Sequence, residues 1–110
     1  MWEKNNEDRQ IYGLIGYPLG HSFSKDYFNK KFAQLRLNAF YENFELPSAH
    51  AFPELLQRTQ NLRGLNVTLP YKETIISYLD ALSPEANAIQ AVNVIRITPQ
   101  GLIGYNSDYY

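Results

Sequence analysis

Cysteine is absent from the 110-residue sequence, so disulfides, thiolate nucleophiles, iron–sulfur clusters and cysteine zinc sites are excluded from it. Histidine is scarce. His21 and His50 are the two present, and they lie too far apart in sequence to read as a metal-ligand pair, so no metal site is expected. Neither sign of charge dominates: eleven acidic against ten basic residues leave a formal charge of -1. That balance gives no electrostatic case for nucleic acid or for an anionic membrane. No apolar run approaches the roughly 18 residues of a membrane span. The opening residues, MWEKNNEDRQ, are charged where a signal peptide is apolar. The expectation is one soluble, cytoplasmic domain. A G-x-G-x-x-G nucleotide fingerprint is missing as well. The stretch from Gly16 to Ser22 has the outline of a P-loop, but three residues separate its glycines where four are needed, and His21 stands where lysine belongs. It could still offer backbone N–H groups to an anion at a helix start.

What the sequence does hold is apolar and aromatic. Its 45% hydrophobic content, with nine tyrosines and six phenylalanines, is enough for a core. Residues 1–10 read as a flexible polar tail. Ile11 to Gly16 reads as a short buried strand ended by glycine, and Tyr17 to Gly20 as a loop. Phe28, Phe32 and Leu35 recur at helical spacing and predict an amphipathic helix from Ser24 to about Leu37. Ala39 to Phe44 predicts an aromatic strand, and Phe52, Leu55, Leu56 and Thr59 a second helix. Gly64 to Val67 predicts a third strand. Pro70 is expected to open a helix whose stripe is Ile75, Ile76 and Leu79. Ser83 followed by Pro84 is an N-cap with proline at the first helical position, giving a helix to Gln90. AVNVIRIT predicts a fourth strand, turned by Pro99-Gln100-Gly101 into a last one, Leu102 to Tyr105. This alternation predicts an α/β fold in three layers: an open sheet, mostly parallel with one antiparallel strand, and helices on both faces.

The chemically informative positions are polar residues where packing alone favours apolar ones. Lys72 falls on the stripe of the helix expected at Pro70, in its first turn. There the helix dipole and the sheet side both disfavour an ammonium, and a poised lysine suits proton transfer. The alternative is a packed stem with the ammonium in water. Asn93 alternates in phase with Ile95 and Ile97, and Asn66 and Thr68 share one side of a strand end. Buried, each needs a hydrogen-bond partner. Taken singly, they are equally well read as loop and helix caps, as are Ser22 and Ser24 before the first helix. Together they fall at strand-to-helix edges, where an open parallel sheet binds ligands. The types present suit a small polyhydroxylated or carboxylated ligand.

The strings IYGLIGYPLGHSFSKDYFN, GLNVTLPYKE, ANAIQAVNVI and GYNSD, in this order, resemble the amino-terminal substrate-binding domain of shikimate dehydrogenases. The resemblance runs from Ile11 to the carboxyl end and implies that residues 11–110 form the substrate-binding catalytic domain. The NADP-binding domain and the carboxyl-terminal helices of the family are absent from this chain. It implies NADP-dependent interconversion of 3-dehydroshikimate and shikimate, with NADP bound by the missing domain. Ser22 and Ser24 would then bind the substrate carboxylate, and Asn66, Thr68 and Asn93 the ring and its hydroxyls. Lys72 and Asp108 would form the catalytic pair. The chain alone is expected to be inactive, and surface left bare by the missing helices to promote self-association.

The sequence departs from the family pattern in places. Lys25 and Phe28 stand where proline and histidine are usual, Gln90 and Val94 where glycine and threonine flank the A-V-N core, and Tyr105 and Ser107 where aspartate and threonine flank Asn106. Loss of a hydroxyl at Val94 could relax substrate choice toward quinate. A stand-alone, non-redox module for a hydroxy acid is a different-class alternative, resting on the missing nucleotide fingerprint. A partner-binding protein, favoured by the tyrosine count, is a third.

Overall fold

The structure is a computed structural model that describes residues 8–20 and 23–109. Six strands form one sheet: β1 (Gln10–Gly16), β2 (Ala39–Glu45), β3 (Leu62–Val67), β4 (Ala81–Leu82), β5 (Val94–Thr98) and β6 (Gly101–Tyr105). Their order across the sheet is β2-β1-β3-β5-β6-β4. The described helices are α1 (Phe23–Gln34), α2 (Phe52–Arg58) and α3 (Pro84–Ile89). β2 and β3 run parallel to β1 on its two sides, and β4 runs parallel to β6. One strand, β5, opposes both of its neighbours, β3 and β6, and so makes two antiparallel pairs. The α/β reading with a single antiparallel strand holds, and the pairing of β3 with β5 is added to the hairpin.

Alternation along the strands assigns the two faces. Ile15, Leu65, Val67 and Ile95 pack with Phe52 and Leu55 of α2, with Ile75 and with Ala86 of α3, in the main buried cluster. The opposite face carries Tyr12, whose ring meets Phe32 of α1 at 5.9 Å between centroids, and Tyr41, which stacks on Phe28. Helices therefore flank both faces. The α1 face is thinner: no residue of α1 is fully buried, and Leu35, placed on its stripe by spacing, lies past its end and is exposed.

Three expectations change. β1 begins at Gln10, within the span read as tail; residues 1–7 lie outside the described residues. No α-helix opens at Pro70. Residues 70–73 form a turn and only a 3-10 helix, Thr74–Tyr78, follows. The cause is a competing hydrogen bond: the Lys72 carbonyl accepts from Val92 N–H at 2.8 Å, while Ile76 N–H turns to Glu73 instead. Pro70 brings no N–H, and Thr74, Ile75 and Ile76 are β-branched, so little local propensity resists this. Lys72 consequently does not sit at a helix amino terminus. Finally, β5 starts at Val94 rather than Ala91, because Gln90 closes α3 in a left-handed conformation, φ 56°, and the next residues are spent redirecting the chain.

The sheet positions a site at one end. α1 leaves β1 toward one face while α2 enters β3 from the other, so the crevice opens between the carboxyl ends of β1 and β3. The ladder continues there into the loops: Thr68 N–H donates to Ile15 O at 2.9 Å, and Tyr17 N–H to Leu69 O at 3.1 Å.

Candidate active site

At that edge the structure gathers most of the residues singled out by sequence, in two linked groups. The first group spans β5 and β6. Lys72 Nζ lies 3.9 Å from Asp108 Oδ2, with side chains 35% and 70% exposed. So open an ion pair stabilises the fold by about 1 kcal/mol or less, and its interest is chemical rather than structural. The Lys72 backbone is fixed by the bond from Val92 N–H, and Asp108 is fixed through Asn106. Asn106 is 6% exposed, donates Nδ2–H to Ala91 O at 3.1 Å and accepts Asp108 N–H at 2.8 Å.

Asn93 staples the two strand ends together. Its Oδ1 accepts Ser107 N–H and its Nδ2 donates to Ser107 Oγ, each at 2.9 Å. Its backbone carbonyl accepts Val67 N–H at 2.8 Å. One amide hydrogen and one lone pair of the Asn93 side chain are left outside these bonds. Ser107, where the family pattern has threonine, retains the hydroxyl this staple requires.

The second group spans α1, β2 and β3. Asn66 Nδ2–H donates to the Tyr41 hydroxyl at 2.9 Å. Tyr41 is 3% exposed. Burial raises its pKa above the usual 10.0, although Asn66 and Ser24 beside it pull the other way. The Asn29 side chain grips the Tyr41 backbone, accepting its N–H at 2.8 Å and donating to its carbonyl at 2.9 Å. β2 is an edge strand, and this amide takes the place of a neighbouring strand. Lys25, where proline is usual, ties α1 to β2 through an ion pair with Glu42 at 2.9 Å.

Thr68 stands between the groups. Its methyl packs over Gly16, where any Cβ would lie 2.5 Å from Thr68 Cγ2 and 3.0 Å from the Leu69 carbonyl. Glycine is required there by the approach of the two loops. Both loops contain cis proline bonds, Tyr17–Pro18 and Leu69–Pro70. Ser22 and His21 lie outside the described residues. Sequence reasoning did not find Tyr41, Asn29 or Asn106. The last is buried, and it sat within the GYNSD string, which was the signal available.

A larger concavity of about 870 Å³ runs along the α1 face, from Gln10 and Leu37 to Tyr41, Asn66 and Val94. Lys72, Asn93 and Asp108 are not in its walls, so it meets the candidate site only at the Tyr41–Asn66 end. Val94 is the cross-strand partner of Asn66.

Residues 14–95 match the family described as the shikimate dehydrogenase substrate binding domain. A shikimate dehydrogenase (NADP(+)) of Syntrophomonas wolfei is 50% identical over 101 residues, 90% of this chain and 34% of its own length. Shikimate dehydrogenase 1 of Peptoclostridium difficile superposes with a TM-score of 0.82 at 39% identity, covering 91% of this chain and 38% of that one. The Thermus thermophilus enzyme, solved in complex with shikimate, gives 0.79 at 35% identity, over 90% of this chain and 38% of that one. The chain thus spans little more than a third of the length of the proteins it matches. With the matched segment, the sheet order and the polar edge in agreement, this chain belongs to the shikimate dehydrogenase substrate-binding domain family.

Proposed function

We propose that the chain is the substrate-holding part of a cytoplasmic, NADP-dependent shikimate dehydrogenase, which interconverts 3-dehydroshikimate and shikimate. The observation that carries this reading is Lys72 and Asp108, brought to 3.9 Å at the strand edge that also holds Asn66, Thr68 and Asn93. Reducing a ketone requires a proton at the oxygen that becomes a hydroxyl, and oxidising the alcohol requires its removal. Lys72 gives and takes that proton, and Asp108 orients both the ammonium and the reacting hydroxyl. Ser22 and Ser24 donate to the carboxylate, while Asn66, Thr68 and Asn93 hold the ring hydroxyls.

NADP supplies the hydride when bound, but the residues described here do not fit it. The turn between β1 and α1 lacks the G-x-G-x-x-G pattern that seats a pyrophosphate, and Thr68 and Leu19 pack against Gly16 within it. In this reading the nucleotide is held by a domain outside this chain, and the remaining segments of that polypeptide cover the groove along α1. Left bare, the groove promotes self-association of the isolated chain.

Titration of the ¹⁵N-labelled chain with shikimate tests the reading. Amides around Asn66, Thr68 and Asn93 shift at ligand concentrations on the order of millimolar, while the isolated chain with NADP and shikimate shows no turnover. Absence of any shift at those residues removes the reading; turnover by the isolated chain removes the separate seat for the nucleotide. Val94 opposite Asn66 favours a second substrate, quinate, because an apolar side chain replaces a hydroxyl there. Quinate shifts of the same residues at comparable concentration would establish it.

A further inference from the structure

We propose that Ser107 is a positioning residue that fixes the sense of the Asn93 carboxamide, and so decides where that side chain donates and where it accepts. The inference rests on the reading that Asn93 holds a ring hydroxyl of the ligand. The two ends of a carboxamide have nearly the same shape and opposite hydrogen-bonding character, so a half-turn exchanges donor for acceptor. Packing alone does not select one sense. The Ser107 backbone N–H does, because it only donates, and its nitrogen lies 2.9 Å from Asn93 Oδ1. A half-turn would set the Nδ2 hydrogens against that N–H, donor against donor. With Oδ1 placed, Nδ2–H meets Ser107 Oγ at 2.9 Å, and the hydroxyl, having accepted, keeps its own hydrogen. The backbone contact thus chooses the sense, and the hydroxyl contact fixes the amide plane.

Among the described residues, Ser107 supplies both of the hydrogen bonds to the Asn93 side chain. The Asn93 backbone is anchored separately: its N–H donates to the Tyr105 carbonyl at 3.0 Å, and its carbonyl accepts Val67 N–H at 2.8 Å. Those two bonds set the backbone, which leaves the side-chain torsions for Ser107 to set. Ser107 is exposed, and a hydrogen bond open to water largely trades one partner for another. Its hydroxyl is accordingly better accounted for by direction than by folding. The chain on either side of Ser107 is held by Asn106, which is buried, with Nδ2–H on Ala91 O and Oδ1 on Asp108 N–H. One turn thus carries the residue that aims Asn93 and, next to it, the carboxylate proposed for catalysis. Among the described residues the Ser107 side chain makes no bond to Lys72 or Asp108, so its effect falls on binding rather than on proton transfer.

Ser107→Thr and Ser107→Val introduce the same β-branched shape and differ in the hydroxyl. Shikimate is titrated against the 110-residue chain, with NMR shifts followed at the Asn66 and Thr68 amides. The dissociation constant stays within about twofold of the parent in Ser107→Thr and rises roughly fivefold in Ser107→Val. In an Asn93→Ala background the two variants differ by less than about twofold, because the hydroxyl acts through the Asn93 amide. Equal affinities of the two variants overturn the inference and leave the wider reading standing. So does a difference that persists undiminished in the Asn93→Ala background, since it reaches the ligand by another route. Absence of shikimate shifts in the unmutated chain overturns the reading, and this inference with it. A thermal melt of each variant checks that the fold is retained; should the β-branched pair melt far below the parent, Ser107→Ala is compared with the parent at a temperature below both transitions, with the same loss expected.

Discussion

The two halves of the candidate site are built differently. On the β1–β2–β3 side, the groups proposed to hold the ligand hang from buried aromatic packing: Tyr41 is stacked, clamped by Asn29 and bonded to Asn66. On the β5–β6 side, the proposed catalytic pair is reached through backbone staples at strand ends. Val92 holds Lys72, Asn106 holds Asp108, and the side chains themselves remain open, Asp108 at 70% exposure. Each kind of precision therefore has its own source. Recognition of a fixed anion gains from a pre-set geometry that water cannot enter. A proton donor must instead await the second reactant, and its surroundings are completed by whatever packs over that edge. The first half is organised in this chain alone, and the second is organised only in its backbone.

Removal of the ammonium should separate the halves most strongly. In a polypeptide that joins this chain to a nucleotide-binding domain of the kind proposed, Lys72→Ala is expected to lower kcat by about 10²–10⁴-fold, the usual worth of a positioned acid–base group. Stability should change by less than about 0.5 kcal/mol, since the side chain is open and its ion pair long. Steady-state NADP-linked oxidation of shikimate, with a denaturant melt in parallel, measures both. A loss of stability comparable to the loss of rate would mean that the β5–β6 half depends on side-chain packing after all.

The two clamping asparagines give the next test. Asn29→Ala leaves the backbone N–H and carbonyl of Tyr41 without partners, and Asn106→Ala does the same to Asp108 N–H and the Ala91 carbonyl. Each is expected to cost about 1–3 kcal/mol, read by urea denaturation. Their functional signatures should separate. Asn29→Ala weakens shikimate binding because Tyr41 loosens; Asn106→Ala leaves binding within about twofold and lowers kcat, because only Asp108 is released. Identical signatures would erase the division between a binding half and a reacting half.

The same asymmetry explains how much could be read beforehand. Apolar spacing together with cap and turn residues placed β1, α1, β2, α2, β3, α3 and the β5–β6 hairpin, because these signals are local to each element. The helix expected at Pro70 failed because one long-range bond, Val92 N–H to the Lys72 carbonyl, outweighs weak local propensity. β4 has two residues, too few to show a period. The β3–β5 pairing is a matter of strand order, which local pattern does not carry. Lys72, Asn66, Thr68 and Asn93 were legible as polar residues at strand edges, while Asp108 came only with the family resemblance. Tyr41 was not, since an aromatic in an aromatic strand carries no chemical signal until its hydroxyl is seen to accept from Asn66.

Alkaline pH probes the buried half specifically. Tyr41 is buried neutral, and its pKa in the fold is raised above the 10.0 of an exposed tyrosine. The unfolded chain therefore ionises first. The contribution is fully present below about pH 10 and is lost as pH rises through the raised folded value. Tyr71, which donates to the Leu46 carbonyl, is raised in the same direction by burial and by Tyr17 nearby. Urea melts from about pH 9 to about pH 11 should show stability falling with pH, less steeply in Tyr41→Phe and still falling because Tyr71 remains. An unchanged slope in that variant would place Tyr41 outside the protected half.

A slighter change, of opposite sign, is expected in the β5–β6 half. Gln90 takes φ 56° at the end of α3, a left-handed conformation, where the family pattern has glycine. An L-residue there pays roughly 1–2 kcal/mol in contact between Cβ and the following carbonyl. Glycine is free of that contact but loses more chain entropy on folding, roughly 0.5–1 kcal/mol. Gln90→Gly also gives up the bonds from Gln90 Nε2 to the Asn87 carbonyl and side chain, both exposed and so worth little. The balance is a gain of about 0.5 kcal/mol, which in a domain of this size raises Tm by about 2–4 °C. The shikimate dissociation constant should stay within about twofold, because the strain sits ahead of Asn93 and the staples of Asn93 to Ser107 and Val67 hold its position independently of Gln90. A gain in Tm with a clear change in affinity would mean that the left-handed turn aims Asn93 at the ligand. The β5–β6 half would then be as firmly set by its local conformation as the Tyr41 half is by its packing.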